Sequence, residues 1–367
     1  MRATSSGRWL DQVEALARDV LPAPVFAYIA EGARDEITTG EAVAAWQSLR
    51  VAPRVLQDVR QVTTSTDLLG ASFELPLGIA PMTLQRAADP DGEVAMARAA
   101  AAAGVPLVLS SNAGSTFADI AATGVTWWLQ IYVAQDRSES VGILESAAAA
   151  GASAVVLTAD TPVVGTRYAR GDGPRVWEMA DPSWVGANAS GTAGLEPTDR
   201  AKAMDLGPAD LTWLATTTGL PVVVKGVLRA DDASRCAAAG ASAVWISNHG
   251  GRQLDQAVAT ATCVAAVRSA VGDTTQVFVD GGLRSGLHVL LAVAMGADAA
   301  FVGRPLFHAL AAGGGDGVVR ALAELGAELR ESMRLSGCPT LADTRGIACP
   351  DRGFGATDAS DLREGPV

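Results

Sequence analysis

Apolar residues fall along this chain in two alternating textures. The first is a short, nearly continuous run rich in β-branched side chains, found at 75–81, 105–111, 126–132 and 154–160, then 221–227, 243–249, 276–282 and 299–305. Continuous burial of this kind is expected of parallel strands covered on both faces, where an antiparallel strand would alternate. The second texture is Ala-rich with helical spacing, at 92–103, 116–122, 138–150, 209–217, 230–239, 260–271 and 285–295. Strand and helix alternate until eight strands have passed, which reads as an α/β chain closed into a (β/α)8 TIM barrel by right-handed crossovers. A doubly wound open sheet is the rival. Eight successive units, with no second domain and no GxGxxG after the first strand, favour the barrel.

Two stretches stand outside the repeat. Residues 1–70 carry predicted helices at 8–21 and 25–32, expected to pack over one barrel end, and 71–367 is the barrel itself. Within it, 163–208 follows the fourth strand as a long Gly/Pro/Asp-rich insertion with Tyr168, Trp177 and Trp184 as its aromatic anchors. Loops of that length in a compact enzyme usually serve as lids or are partly disordered. The final part, 306–367, is expected to hold C-terminal helices and a tail.

Composition narrows the function classes. The chain has 367 residues, 49% of them apolar and 19% charged, enough to build a large core. A formal charge of −12 argues against a nucleic-acid partner, which requires a basic face. Cys236, Cys263, Cys338 and Cys349 form no CxxC pair and fit a reduced, cytoplasmic setting. The first 21 residues lack the apolar centre of a signal peptide, and no run approaches the length of a membrane span. No metal site is expected.

The candidate chemistry gathers at the strand ends, where barrel enzymes keep their active sites. Those ends carry Pro81, Met82 and Thr83; Ser110 and Asn112; Gln130 and Tyr132; and Thr158 and Asp160. Lys225, then Ser247, His249 and Arg252, continue the rim, followed by Asp280, Gly281, Gly282 and Arg284, then Gly303 and Arg304. Of three histidines, His288 and His308 fall in predicted helices, and His249 alone ends a strand. An imidazole can take and return a proton near neutral pH. Asp160 is positioned to stabilise the imidazolium, although a turn role in its Asp-Thr-Pro context is the plainer alternative. Lys225 at the end of an apolar strand calls for an electron-rich partner. The glycines and arginines after the last two strands suit a phosphate, and Arg167 with Arg252 suits a bidentate carboxylate clamp.

At this point the chain resembles the FMN-dependent L-2-hydroxy acid oxidases and dehydrogenases, of the glycolate oxidase, lactate oxidase and mandelate dehydrogenase type. The similarity spans about residues 21–341 and is carried most specifically by SNHGGRQLD (247–255). LPVVVKG (220–226), VFVDGGLRSG (277–286), FVGRP (301–305), LTADTP (157–162) and SGCPTL (336–341) support it. The resemblance implies FMN as cofactor and His249 as proton-abstracting base, with Asp160 beside it. It implies that Arg167, Arg252, Tyr132 and Tyr28 grip the substrate, and that Lys225 sits by the flavin N1–C2 carbonyl. Pro81, Met82, Thr83, Ser110, Gln130, Thr158 and Ser247 would hold the ring and ribityl, and Asp280, Gly281, Gly282, Arg284, Gly303 and Arg304 the ribityl tail and phosphate. It further implies O2 or another electron acceptor as second substrate, and a homo-oligomer, tetramer or octamer.

Departures concern the substrate. Asn112 stands where glycolate oxidase has Trp, Met82-Thr83 replaces a smaller pair beside the flavin, and Asp89 stands where many relatives carry His. A dehydrogenase with another acceptor, an oxidative decarboxylase, a flavin-dependent isomerase and a non-catalytic flavoprotein are the alternatives on the same barrel.

Overall fold

Three short strands precede the repeat: β1 (Leu49–Val51), β2 (Thr66–Leu68) and β3 (Ala71–Phe73). The eight apolar runs then supply β4 (Leu77–Ile79), β5 (Leu107–Ser110), β6 (Trp127–Ile131) and β7 (Val155–Thr158), followed by β8 (Val222–Val227), β9 (Ala243–Ile246), β10 (Gln276–Val279) and β11 (Ala299–Val302). In the computed structural model, which describes residues 7–168, 175–188 and 201–350, these eight pair in parallel and close into a barrel. The chain is therefore a TIM barrel, as its repeat implies. A last strand, β12 (Ala348–Pro350), returns to pair antiparallel with β1.

Adjacent residues of each strand face opposite ways, and both faces are buried. Trp127 points outward and stacks on Phe117 of a neighbouring helix, while Trp128 points inward and stacks on Phe278. Trp245, Phe278 and Phe301 complete an aromatic layer inside the barrel, the Trp245 and Phe301 rings lying 4.1 Å apart. That layer leaves room for nothing but glycine at position 78, where a Cβ would lie 2.2 Å from the Phe301 ring. The β2–β3 hairpin seals the bottom with Leu68 and Phe73. The sequence reading missed this plug.

The N-terminal helices Trp9–Val20 and Ala23–Ala30 pack with the C-terminal helix, and the first anchors itself by Trp9 Nε1 donating to the Gly317 carbonyl. A further helix, Ile37–Gln47, was not anticipated. It braces the upper rim: Thr38 N donates to Asp255, and Trp46 Nε1 donates to the Gly281 carbonyl at 2.7 Å. The expected C-terminal helices run over Arg304–Leu335, two helical stretches separated by a kink at Gly313 and Gly314. Residues 351–367 of the expected tail lie outside the described residues.

The insertion after β7 forms a short helix, Val176–Met179, and a 3-10 turn, Pro182–Trp184; 169–174 and 189–200 lie outside the described residues. Trp177 and Trp184 pack into an apolar cluster with the N-terminal helices, as anchors should. Tyr168 is 52% exposed, and among the described residues it is not part of that cluster. Its neighbour Arg167 takes up the inward contacts instead. Among the described residues no helix is long and apolar enough to cross a membrane.

Candidate active site

The C-terminal strand ends surround one cavity of about 1130 Å³. Every site residue expected from the sequence lines it except Asp160 and Ser247, which stand directly behind the wall and hold residues that do. His288 and His308 are buried in helices and take no part in the lining.

His249 follows β9 with φ +57°, and Gly250 and Gly251 continue in the same left-handed region. For a residue with a Cβ this conformation costs about 1–2 kcal/mol. It turns the ring into the cavity, and the amide is held by donation to Ser247 Oγ at 3.1 Å. The ring is placed from three sides. Nδ1 lies 2.9 Å from Asp160 Oδ1 and 3.3 Å from Thr161 Oγ1, and Nε2 lies 3.5 Å from the Tyr132 hydroxyl. Burial alone would raise the Asp160 carboxyl. The His249 contact outweighs it, with help from Lys225 and Thr161, and brings it down to about 2. Burial lowers His249 against the pull of Asp160, and the Lys225 and Arg252 charges lower it further. The pair therefore rests as carboxylate and neutral imidazole. Nδ1 carries the proton toward Asp160, and Nε2 presents a bare lone pair to the cavity.

Gly226 explains the Lys-Gly pair that ends the β8 run. Its φ is +110°, and a Cβ there would lie 2.5 Å from that of Asp160. Lys225 is buried, as an inward-facing role requires. Nζ donates to Ser247 Oγ at 2.8 Å and lies 3.3 Å from Asp280 Oδ2. Asp280 Oδ1 is buried with no protein partner.

Tyr28 reaches in from the N-terminal segment and is flanked by two guanidinium groups, Arg167 at 4.9 Å and Arg252 at 4.7 Å from its ring centre. Trp177 meets the ring edge-on at 5.2 Å. Arg252 is fixed by donation from Nη1 to the Tyr28 and Glu31 carbonyls, and Arg167 Nε is buried without a partner.

Arg284 and Arg304 occupy the far side. Burial lowers the Arg284 guanidinium, opposed by Glu14, and Nη1 donates to the neighbouring Leu283 carbonyl. Burial, then the charges of Arg252, Arg284 and Arg167, push Arg304 down to about 9 against the pull of Asp280. Unlike a residue reserved for a ligand, Arg304 also braces protein: it donates to the Ile29, Gly250 and Glu31 carbonyls, tying the N-terminal segment to the His249 loop. Two of its five N–H groups remain. Between the two arginines, Gly281 and Gly282 adopt φ of +87° and +83°; a Cβ on Gly282 would fall 2.1 Å from the Ala42 carbonyl oxygen. The charges of Arg167, Arg252 and Arg284 all bear on Arg304, so this side of the cavity is a cationic cluster of the kind that can take anionic groups.

Several residues of the site escaped sequence reasoning. Thr161 follows Asp160 directly and was within reach of the motif reading. Gln253 Oε1 accepts from Gly165 N at 2.8 Å, holding the approach to Arg167. Glu93 is buried and takes Gly114 N and Ser115 Oγ, so it supports the loop that carries Asn112. Lys202 enters from the insertion and places Nζ 4.2 Å over the Tyr132 ring; burial lowers it to about 8, partly opposed by Asp160. None of these had a periodic signal.

The family model described as FMN-dependent dehydrogenase matches residues 17–348. L-lactate oxidase of Nostoc sp. is 39% identical over 94% of this chain and 98% of its own. 4-Hydroxymandelate oxidase of Amycolatopsis orientalis is 39% identical over 92% of this chain and 96% of its own. The crystal structure of mandelate oxidase with (S)-4-hydroxymandelic acid superposes with a TM-score of 0.86 at 36% identity, covering 93% of this chain and 98% of that one. With the family model matching residues 17–348 and both relatives 39% identical over 92% or more of the chain, the chain belongs to the FMN-dependent dehydrogenase family, among its 2-hydroxy acid oxidases.

Proposed function

We propose that this FMN-dependent enzyme oxidises the L enantiomer of a 2-hydroxy acid to the 2-oxo acid, with His249 Nε2 as the base. The single observation that carries the reading is the oriented imidazole: a neutral ring, fixed through Nδ1 to Asp160, whose free nitrogen faces the same cavity as two guanidinium groups.

Arg284, with the remaining N–H groups of Arg304, would hold the FMN phosphate. Gly281 and Gly282 would let the backbone approach it, and Lys225 would face the ring. The buried guanidinium groups, Arg304 with two N–H groups to spare, and the cavity volume fit that cofactor. FMN, when bound, supplies the two-electron redox capacity, which O2 restores with formation of H2O2.

The protein's own residues do the rest. Arg167 and Arg252 take the substrate carboxylate and so fix which face of the carbinol carbon is presented. Burial raises the Tyr132 phenol, so it stays protonated and donates to the substrate oxygen beside His249. His249 Nε2 accepts one substrate proton, from the hydroxyl where the α-hydrogen would leave with its electron pair to the FMN, or from the α-carbon where the electron pair would follow separately, and the imidazolium that results is held by Asp160. Asn112 and Thr83, hydrogen-bonded to each other at 3.2 Å, border the substrate side-chain region with polar groups.

The test is anaerobic addition of L-2-hydroxy acids, from small to aromatic, to the yellow protein. Bleaching by L and not by D acids, followed in air by equal yields of 2-oxo acid and H2O2, is the expected result. Flavin that no member of the panel bleaches overturns the reading. A peroxide yield well below the 2-oxo acid marks another electron acceptor, and loss of CO2 marks a decarboxylating oxidase. A cytoplasmic, closed homo-oligomer (tetramer or octamer) belongs to the same proposal, and sedimentation measures its size.

A further inference from the structure

Most cations on the cavity wall have a counterpart once the proposed ligands are counted. Arg167 and Arg252 face the substrate carboxylate, Arg284 and Arg304 the phosphate, and Lys225 is paired with Asp280. Lys202 has none. Among the described residues no carboxylate pairs with its ammonium, although the side chain is half-buried. Holding an ammonium away from water without an anion is costly.

Its position is fixed by the main chain. Ala203 N donates to the Val133 carbonyl and Gln135 N to the Ala201 carbonyl, so an antiparallel bridge joins Ala134 to Lys202. Lys202 is thus stitched to the segment that leaves β6 and carries Tyr132. The Tyr132 hydroxyl is 3.5 Å from His249 Nε2, and Nζ stands 4.2 Å from the centre of the same ring. One phenol ring therefore separates the base from the ammonium. The same cavity is lined by Glu139, Ser140, Ile143 and Lys202 as well as by Tyr132 and His249, so a substrate side chain that enters it can meet the ammonium.

We infer that Lys202 is a specificity residue that receives a second carboxylate at the far end of the substrate, so that 2-hydroxy diacids are preferred over neutral 2-hydroxy acids of the same chain length. This rests on the proposed oxidation. It adds to it a substrate class that the base and the clamp do not define. A charge-assisted contact is made by both the substrate and the transition state, so its loss raises KM more than it lowers kcat.

The experiment compares L-malate with L-2-hydroxybutyrate, and L-2-hydroxyglutarate with L-2-hydroxyvalerate, on the FMN-loaded wild type, K202M and K202R. The expected wild-type kcat/KM favours at least one diacid over its neutral counterpart. That ratio falls about 10-fold or more in K202M, chiefly through KM, and is largely restored in K202R. Equal losses on diacid and neutral acid in K202M would reduce Lys202 to a packing partner of Tyr132 and overturn the inference. So would a wild-type preference for both neutral acids. Failure of all four compounds, and of the wider panel, to bleach the flavin would instead sink the proposed oxidation itself.

Discussion

Replacing Asp160 by asparagine removes one charge from the site and almost none of its volume. The carboxylate lies 2.9 Å from His249 Nδ1, is buried, and is held ionised down to about pH 2. Two consequences follow. The imidazolium formed when Nε2 takes the substrate proton loses its buried counter-charge, and stranding one member of such a pair costs about 3–5 kcal/mol. At 1.4 kcal/mol per decade, that slows anaerobic flavin reduction by roughly 10²–10⁴-fold. The new amide can also donate to Nδ1, which moves the ring proton to Nε2, the nitrogen that must be bare. The pH profile carries an independent signature. Reduction needs the neutral ring, so its rate falls as pH drops through the His249 value, which burial sets below the ordinary 6.5. Asp160 opposes that lowering, so D160N moves the limb to still lower pH while its plateau drops. Stopped-flow reduction of protein first shown to carry a full complement of FMN measures both. A plateau within about fivefold of wild type, or a limb moved upward, would refute the dyad as described.

Arg252→Lys keeps the charge but loses the planar fork that grips a carboxylate; KM should rise roughly 10–100-fold with a smaller change in kcat, and an unchanged KM removes the clamp role. A melting curve separates this from loosening of the Tyr28–Glu31 segment, whose carbonyls Arg252 also holds. Stability should fall on acidification because of two buried imidazoles. Burial, then the Arg284 charge, pushes both His288 and His308 down to about 4. Both rings are neutral in the folded protein, whereas unfolded histidines bind protons near 6.5. Their contribution is whole above that pH and is lost as pH falls toward 4, by roughly 2–3 kcal/mol each. H308F keeps the stack on Phe26, 5.7 Å between ring centres, and should lose markedly less stability than wild type between pH 7 and 4.5 in denaturant titrations. An equal loss would place the acid sensitivity elsewhere.

The barrel was legible because its strands are buried on both faces, so each appears as an unbroken apolar run whose last polar residues must line the mouth. His249, Lys225 and the Asp280–Arg284 loop could be placed on the rim for that reason alone. The plug and the braces were not legible. β2 and β3 are three residues each, too short to show a period, and the Ile37–Gln47 helix opens on β-branched residues with a glycine in its first turn and presents no amphipathic stripe. The charge interplay among Arg167, Arg252, Arg284 and Arg304 depends on distances that no linear spacing encodes. The same holds for Lys202, which reaches the site from a polar insertion with no regular pattern. The left-handed backbone at His249 is a tertiary demand, set by Ser247 below and Arg304 holding the Gly250 carbonyl above.

Everything in the proposed chemistry turns on one nitrogen atom, Nε2 of His249. The direct measurement is anaerobic mixing of His249→Ala with an L-2-hydroxy acid that bleaches the wild type, after FMN content has been matched. Because the phosphate and ring contacts lie on other strands, the variant should remain yellow and its reduction should be nearly abolished. A variant that stays yellow and bleaches at close to the wild-type rate would contradict the account.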